Sequence, residues 1–353
     1  MKTTDLSLAK RLQELSAPSE LAEKKPGGRV RCLACAHRCS IADGAEGICR
    51  VRFNRAGVLW VPHGWVNGVA VDPIEKKPFY HVLPGSATVS FGLLGCNFHC
   101  DFCQNWITSQ ALREQAGEAV IRKVTAEQLG DICVEEGAPV LTSTYNEPLI
   151  SAEWAAEAFR EGKKRGIRGA FVSNGYATPE AIKYLRPFLD FWKVDLKSMN
   201  PETYRKTCGG VLKHVLDSIV AIHAAGYWTE IVTLVVPGMN DSDKELQETA
   251  RFVASVSPDI PWHVTAFRGQ YRMARKPDTS PETLLRACRA GQEAGLNYVY
   301  VGNIPGALGK WENTACPSCH ATLIERSGLS VLHNRVAGGK CPKCGLKIPG
   351  VWG

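Results

Sequence analysis

The 353-residue sequence has no apolar run approaching the roughly 18 residues that would cross a bilayer, which excludes a membrane-spanning helix. Its amino-terminal stretch MKTTDLSLAKRLQEL is amphipathic and charged and lacks an export-signal core, so a cytoplasmic location is expected. It contains neither an internal repeat nor a low-complexity tract, which excludes a solenoid. The interleaved aromatics and Arg-rich runs that stack bases are also missing, which counts against nucleic acid as a partner. No pocket signature for a particular small molecule stands out.

Apolar material and cysteine are plentiful. At 44% hydrophobic and 22% charged, the chain can bury one large core with appendages or two ordinary domains. Fourteen cysteines without an export signal point to metal ligation, because a reducing compartment disfavours a disulfide scaffold. Eleven fall into three groups, at 32, 35, 39 and 49, at 96, 100 and 103, and at 316, 319, 341 and 344. Cys133, Cys208 and Cys288 stand alone and read as small buried hydrophobes. The net charge of +7 is uneven: residues 1–60 carry 11 Lys/Arg against 6 Asp/Glu, residues 311–353 carry 5 against 2, and the middle is balanced. Basic flanks are compatible with an acidic partner or nucleic acid, but a solvated surface is the commoner explanation.

Residues 1–30 are expected to form an amino-terminal helix ending at the Lys-Pro-Gly-Gly break, followed by a cysteine module at 31–60 and an irregular Pro-rich connector at 61–85. From 86 to 310, short β-branched runs (ATVSFGLL, VLTSTY, GAFVSN, FWKVDLK, TEIVTLVV, WHVTAF, YVYVGN) alternate with amphipathic helical stretches, several opened by a Ser/Thr cap or a Pro. That alternation predicts an α/β fold, a full or partial (β/α) barrel of about six parallel units, with small cysteine-rich modules at both ends. The tail at 311–353 is expected to be a separate module.

The run GCNFHCDFCQNW places Cys96, Cys100 and Cys103 in a C-x3-C-x2-C loop directly after the first barrel strand. Three thiolates on one tight loop can ligate three irons of a 4Fe-4S cubane and leave the fourth open to S-adenosylmethionine (SAM). A zinc knuckle is the alternative, but zinc prefers four ligands in paired knuckles. The spacing, Phe102 before the last cysteine and the strand-loop-helix setting resemble the radical SAM superfamily. RCLACAHRCSIADGAEGICRVRFN, DPIEKKPFYHVLPG, TYNEP, SNGY, VDLKSMN, VVPGMND, and the tail CPSC, CPKCG and IPGVWG extend the resemblance over nearly the whole chain. Within the superfamily they are similar to the AmmeMemoRadiSam system radical SAM enzymes, themselves similar to the pyruvate formate-lyase activating enzyme.

The resemblance implies SAM contacts residue by residue. Asn146, Glu147 and Pro148 stand where the family has Gly-Gly-Glu-Pro, with Tyr145 and Asn146 replacing both glycines. Ser173 and Asn174 match the polar end of the next strand, Asp195 and Lys197 match an Asp-x-Lys pair around the SAM carboxylate and ribose, and His263 matches a cofactor-contacting histidine. Val172 stands where related activases have a cation-binding aspartate. Asp195 and Lys197, two apart on a strand, share a face and could equally form a structural ion pair. A lone histidine such as His263 is ordinarily a satisfied core residue. The resemblance further implies a flavodoxin- or ferredoxin-type electron donor and a protein substrate, such as a Memo or AMMECR-like partner.

Cys32, Cys35, Cys39 and Cys49 form C-x2-C-x3-C-x9-C, a complete set for zinc or for a second iron-sulfur cluster, and the spacing leaves both open. Cys316, Cys319, Cys341 and Cys344 form two C-P-x-C knuckles of the zinc-ribbon or rubredoxin-like kind, with structural zinc expected. The sequence therefore predicts a radical SAM enzyme that abstracts hydrogen from an unidentified substrate, with a protein or peptide as the glycyl-radical-activase-like choice. An RNA- or nucleotide-modifying radical SAM enzyme and a non-catalytic iron-sulfur or metal scaffold are the alternatives.

Overall fold

A computed structural model describes residues 3–114, 120–304, 306 and 308–353. The first two residues of the expected amino-terminal helix lie outside this set. The helix itself covers Thr3–Glu14, and Ser16–Pro18 and Ala22–Lys24 instead form strands that pair with Val58–Pro62 and Val30–Cys32. Residues 16–30 thus join the cysteine module; the Pro and Gly of Lys-Pro-Gly-Gly mark a turn between two of its strands rather than the end of a helix.

The core is one eight-stranded sheet whose strands lie in chain order: β1 (Gly68–Pro73), β2 (Ala87–Gly92), β3 (Val140–Ser143), β4 (Arg168–Ser173), β5 (Phe191–Asp195), β6 (Trp228–Val235), β7 (Trp262–Ala266) and β8 (Val299–Gly302). From β2 to β8 every pairing is parallel, and β1 runs antiparallel to β2. Strand β1 falls within the expected irregular connector. Its β-branched centre pairs on one side only, and Pro73 ends it, as suits an edge strand. Among the described residues β1 and β8 are the two edges, so the barrel is partial rather than closed.

The strands alternate with helices α1 (Ala126–Glu135), α2 (Ala152–Lys163), α3 (Pro179–Leu185), α4 (Leu212–Ala224), α5 (Asp243–Val256) and α6 (Pro281–Glu293). Thr125, Thr178, Ser242 and Ser280 cap four of them by accepting backbone N–H bonds, and Pro opens α3 and α6. Sheet strands covered on both faces carry nearly continuous apolar runs, and Phe171, Trp192 and Trp262 are fully buried between sheet and helices. No helix among the described residues is long and apolar enough to cross a membrane.

The tail folds as a three-stranded sheet, Thr314–Ala315, Thr322–Ser327 and Ser330–Asn334, followed by the second cysteine knuckle. It is less separate than its composition suggests. Leu323, Ile324 and Ile348 share one apolar cluster with Tyr80, Tyr298 and Tyr300 of the barrel, and Val351 pairs with Val82.

Candidate functional site

A cavity of 420 Å³ opens at the carboxyl ends of the parallel strands, where βα folds collect their chemistry. Cys96, Cys100 and Cys103 face it from the loop after β2, and Phe102 adds an aromatic wall. The loop is fixed from several sides. Asn97, fully buried, accepts from Asn174 Nδ2 at 2.7 Å, and Arg113 donates to the carbonyls of Cys96 (2.8 Å) and Phe98 (3.0 Å). The Ser109 hydroxyl lies 3.2 Å from Cys103 Sγ. Gly95, at φ +92°, lets the loop lie against the cysteine module: a side chain there would meet the Cys49 carbonyl at 2.9 Å. Burial is the main cause that raises the Cys96 and Cys103 thiols. Donor chemistry and convergence on one cavity fit a cluster with an open iron.

Opposite the thiols stands Glu147, 2% exposed, accepting from Leu149 N (3.1 Å), Ser173 Oγ (2.8 Å) and Asn174 N (2.7 Å). Burial outweighs these bonds and pushes its carboxyl up to about 7. Pro148 does not line the cavity; it opens the turn Pro148–Ser151 that Glu147 caps. Asn146 Oδ1 accepts from Leu93 N at 3.1 Å, while its Nδ2 is buried without a partner, a donor left for a bound group. Tyr145 adopts φ +71°, the left-handed region that favours glycine. It is held there by Asp72 (3.1 Å) and Lys77 (3.2 Å) on its hydroxyl.

Asp195 and Lys197 face the cavity and also pair with each other at 3.2 Å, so the ion-pair and site expectations describe one geometry. Lys193, two residues earlier, makes the closer contact with Asp195 and is 4% exposed. Burial alone would raise the Asp195 carboxyl, but the two ammonium groups hold it at about 2. Lys193 escaped sequence reasoning although the same i, i+2 rule that joined Asp195 to Lys197 reaches it; it sits among apolar neighbours and so read as core. In the parallel register it lies beside Val172. Cys208, read as a small buried hydrophobe, is fully buried in the core.

His263 is a correction. It is the second residue of β7, near the amino end of the sheet, and lies outside the cavity lining. Its Nε2 bonds Glu230 at 2.7 Å, and its ring packs on Tyr80 and Tyr300. The cofactor contact expected of it is not met by this geometry.

The two flanking cysteine sets differ. Cys316, Cys319, Cys341 and Cys344 bring all four sulfurs within 4.8 Å of one another, with Cys316–Cys344 and Cys319–Cys341 each 3.6 Å apart. A single ion with thiolates at about 2.3 Å has sulfur–sulfur edges of about 3.8 Å, so this is a ready one-metal site. Cys32, Cys35, Cys39 and Cys49 surround a small cavity lined otherwise mainly by aliphatic side chains. His37 is not among its walls; its Nε2 bonds the Asn97 carbonyl at 3.0 Å.

Comparison with known proteins agrees with this geometry. The radical SAM superfamily profile matches residues 93–253, which contain the three-cysteine loop, Glu147, Asp195 and Lys197. The uncharacterized protein MJ0808 of Methanocaldococcus jannaschii is 36% identical over 330 residues, covering 92% of this chain and 97% of that one. An isethionate sulfite-lyase activating enzyme of Oleidesulfovibrio alaskensis is 24% identical over 183 residues, half of this chain and 59% of that protein. The pyruvate formate-lyase 1-activating enzyme of Escherichia coli is 26% identical over 174 residues, 48% of this chain and 69% of that enzyme. With its three-thiol loop at the head of a partial βα barrel, the chain belongs to the radical SAM superfamily and is an enzyme of that type, similar to the activating enzymes.

Proposed function

We propose that this protein binds SAM in the 420 Å³ cavity beside a 4Fe-4S cluster on Cys96, Cys100 and Cys103, and abstracts a hydrogen atom from a protein or peptide. The observation that carries the reading is the convergence of three thiols, a carboxylate and an Asp–Lys pair on one cavity. When bound, the cluster supplies one electron to the sulfonium, whose bond to the 5′ carbon breaks to give methionine and a 5′-deoxyadenosyl radical.

The chain's own residues hold the reactant. Glu147 accepts the SAM ammonium, with Pro148 fixing its turn, and the free Asn146 Nδ2 donates beside it. Lys197 pairs with the SAM carboxylate, Asp195 accepts from the ribose, and Ser173 and Asn174 hold Glu147 in place. Phe102, with the Lys197 ammonium 5.8 Å from its ring centre, walls the cavity next to the cluster. Cys316, Cys319, Cys341 and Cys344 hold zinc that ties the tail together.

The relatives named as activating enzymes support a protein substrate and a reductant; a flavodoxin- or ferredoxin-type donor and a Memo or AMMECR-like partner rest on the sequence resemblance alone. Anaerobic reconstitution with SAM and dithionite should yield 5′-deoxyadenosine, lost when Cys96, Cys100 and Cys103 are all changed to Ala. A fully loaded cluster without product would overturn the reading. A partner protein grown with α-deuterated glycine should pass deuterium into 5′-deoxyadenosine. Unlabelled product at the same rate with and without it would remove the glycine assignment.

A further inference from the structure

We propose that Cys32, Cys35, Cys39 and Cys49 hold a second iron-sulfur cluster, which passes electrons to the cluster of the Cys96 loop. The four thiols converge on one cavity, three of them buried, and Ile150 closes it from the barrel side. Arg52, 2% exposed and paired with the buried Glu153 carboxylate, also brings Nη1 to 3.7 Å from Cys32 Sγ, a donor beside the quartet.

Spacing separates a cluster from a single ion. The carboxyl-terminal quartet has all its sulfurs within 4.8 Å, close to the tetrahedral edge of about 3.8 Å, whereas no three of the amino-terminal sulfurs meet that limit among the described residues. Sulfurs standing further apart around a shared void suit a polynuclear core, in which each thiolate takes its own iron.

Position supplies the role, and this part rests on the proposed SAM chemistry. One guanidinium nitrogen of Arg113 bridges the Ile48 carbonyl (2.6 Å) and the Cys96 carbonyl (2.8 Å). Gly95 lies against the Cys49 carbonyl, and His37 binds Asn97 at 3.0 Å. The two cysteine sets are therefore joined by direct contact of neighbouring backbone, within tunnelling reach. A one-electron carrier of the flavodoxin or ferredoxin class gives one electron to the amino-terminal cluster and is oxidised by one. The same electron moves to the cluster of the Cys96 loop and ends in the sulfonium bond.

The full chain carrying Cys96, Cys100 and Cys103 all as Ala, reconstituted anaerobically, should keep about four iron and a reduced-cluster electron paramagnetic resonance (EPR) signal. Iron-free chain with zinc in that quartet would overturn the proposal, and this readout stands whether or not SAM is cleaved. In the reduced wild-type chain the two spin centres should broaden each other's signals relative to the triple variant; unbroadened signals would refute the contact. Cys32→Ser/Cys35→Ser should slow reduction of the remaining cluster by photoreduced flavodoxin at least tenfold, and an unchanged rate would sink the relay. Should that variant not load the remaining cluster, the wild-type broadening decides.

Discussion

The two ends of the barrel bury comparable amounts of polar chemistry and use it in opposite ways. At the amino end, the Glu230 carboxylate accepts from Tyr80 N, His81 N, Trp228 Nε1 and His263 Nε2, all within 3.0 Å. His81 donates from Nδ1 to the Pro349 carbonyl at 2.7 Å, which leaves Nε2 to accept from the Tyr300 hydroxyl at 2.6 Å. Arg326 closes the network on Thr314 and the Tyr80 carbonyl. Glu230, His81 and His263 satisfy one another and weld the tail to the barrel, while Arg326 Nε and the Tyr298 hydroxyl stay buried there without a hydrogen-bond partner. At the carboxyl end, Asn146 keeps an unpartnered donor, Tyr145 holds a left-handed conformation, and charged groups face a cavity. Unmet bonding capacity occurs at both ends, so neither burial nor an orphaned polar atom marks function by itself; the carboxyl end differs in turning its charged groups to a cavity.

Removing the hub of the satisfied end should produce the largest effect. Glu230→Ala strands four buried donors and should cost about 3–5 kcal/mol in chemical denaturation, the range for breaking a buried charged network. A loss below about 1 kcal/mol would mean that the floor is not a welded unit and would dissolve the contrast between the two ends.

Much of this was legible beforehand, for identifiable reasons. Parallel strands announce themselves as β-branched runs, and the three-cysteine loop carries its chemistry in eight residues, so both the barrel and the thiols could be read from spacing. Glu147, Asp195 and Lys197 were picked out by the family resemblance, and all three line the cavity. Legibility failed elsewhere. Strand β1 hid among prolines, and Lys193 hid in an apolar strand. His263 was misplaced because a family motif gives a strand but not the depth of a residue along it.

At the cavity end, Lys197→Gln should weaken SAM binding by about 10- to 100-fold, as for loss of a charged hydrogen bond of about 1.5–3 kcal/mol. Stability should change by less than about 1 kcal/mol, because Asp195 keeps Lys193 as its partner. Isothermal titration and melting on the same sample separate the two. A stability loss without an affinity loss would assign Lys197 to the framework.

Glu147 adds a pH test of the same kind. Its folded carboxyl is raised from 4.5 to about 7, chiefly by burial, so ionisation costs stability as pH rises from 4.5 to 7 and nothing further above that. A ligand ammonium needs the ionised form. SAM affinity should therefore fall about tenfold per pH unit below 7 and level off above it, a dependence that Glu147→Gln abolishes. A flat wild-type profile would detach Glu147 from the ligand.

The smallest expected effect is the most discriminating. His263 belongs to the satisfied floor: burial lowers its basicity, the ionised Glu230 accepts its Nε2 proton, and Tyr80 and Tyr300 enclose its ring. His263→Gln leaves the cavity walls untouched, so SAM affinity should stay within about twofold of wild type, while stability falls by about 1–3 kcal/mol for the disturbed buried bond. If affinity falls with stability preserved, the depth of β7 is misjudged, and the amino end of the barrel takes part in binding after all.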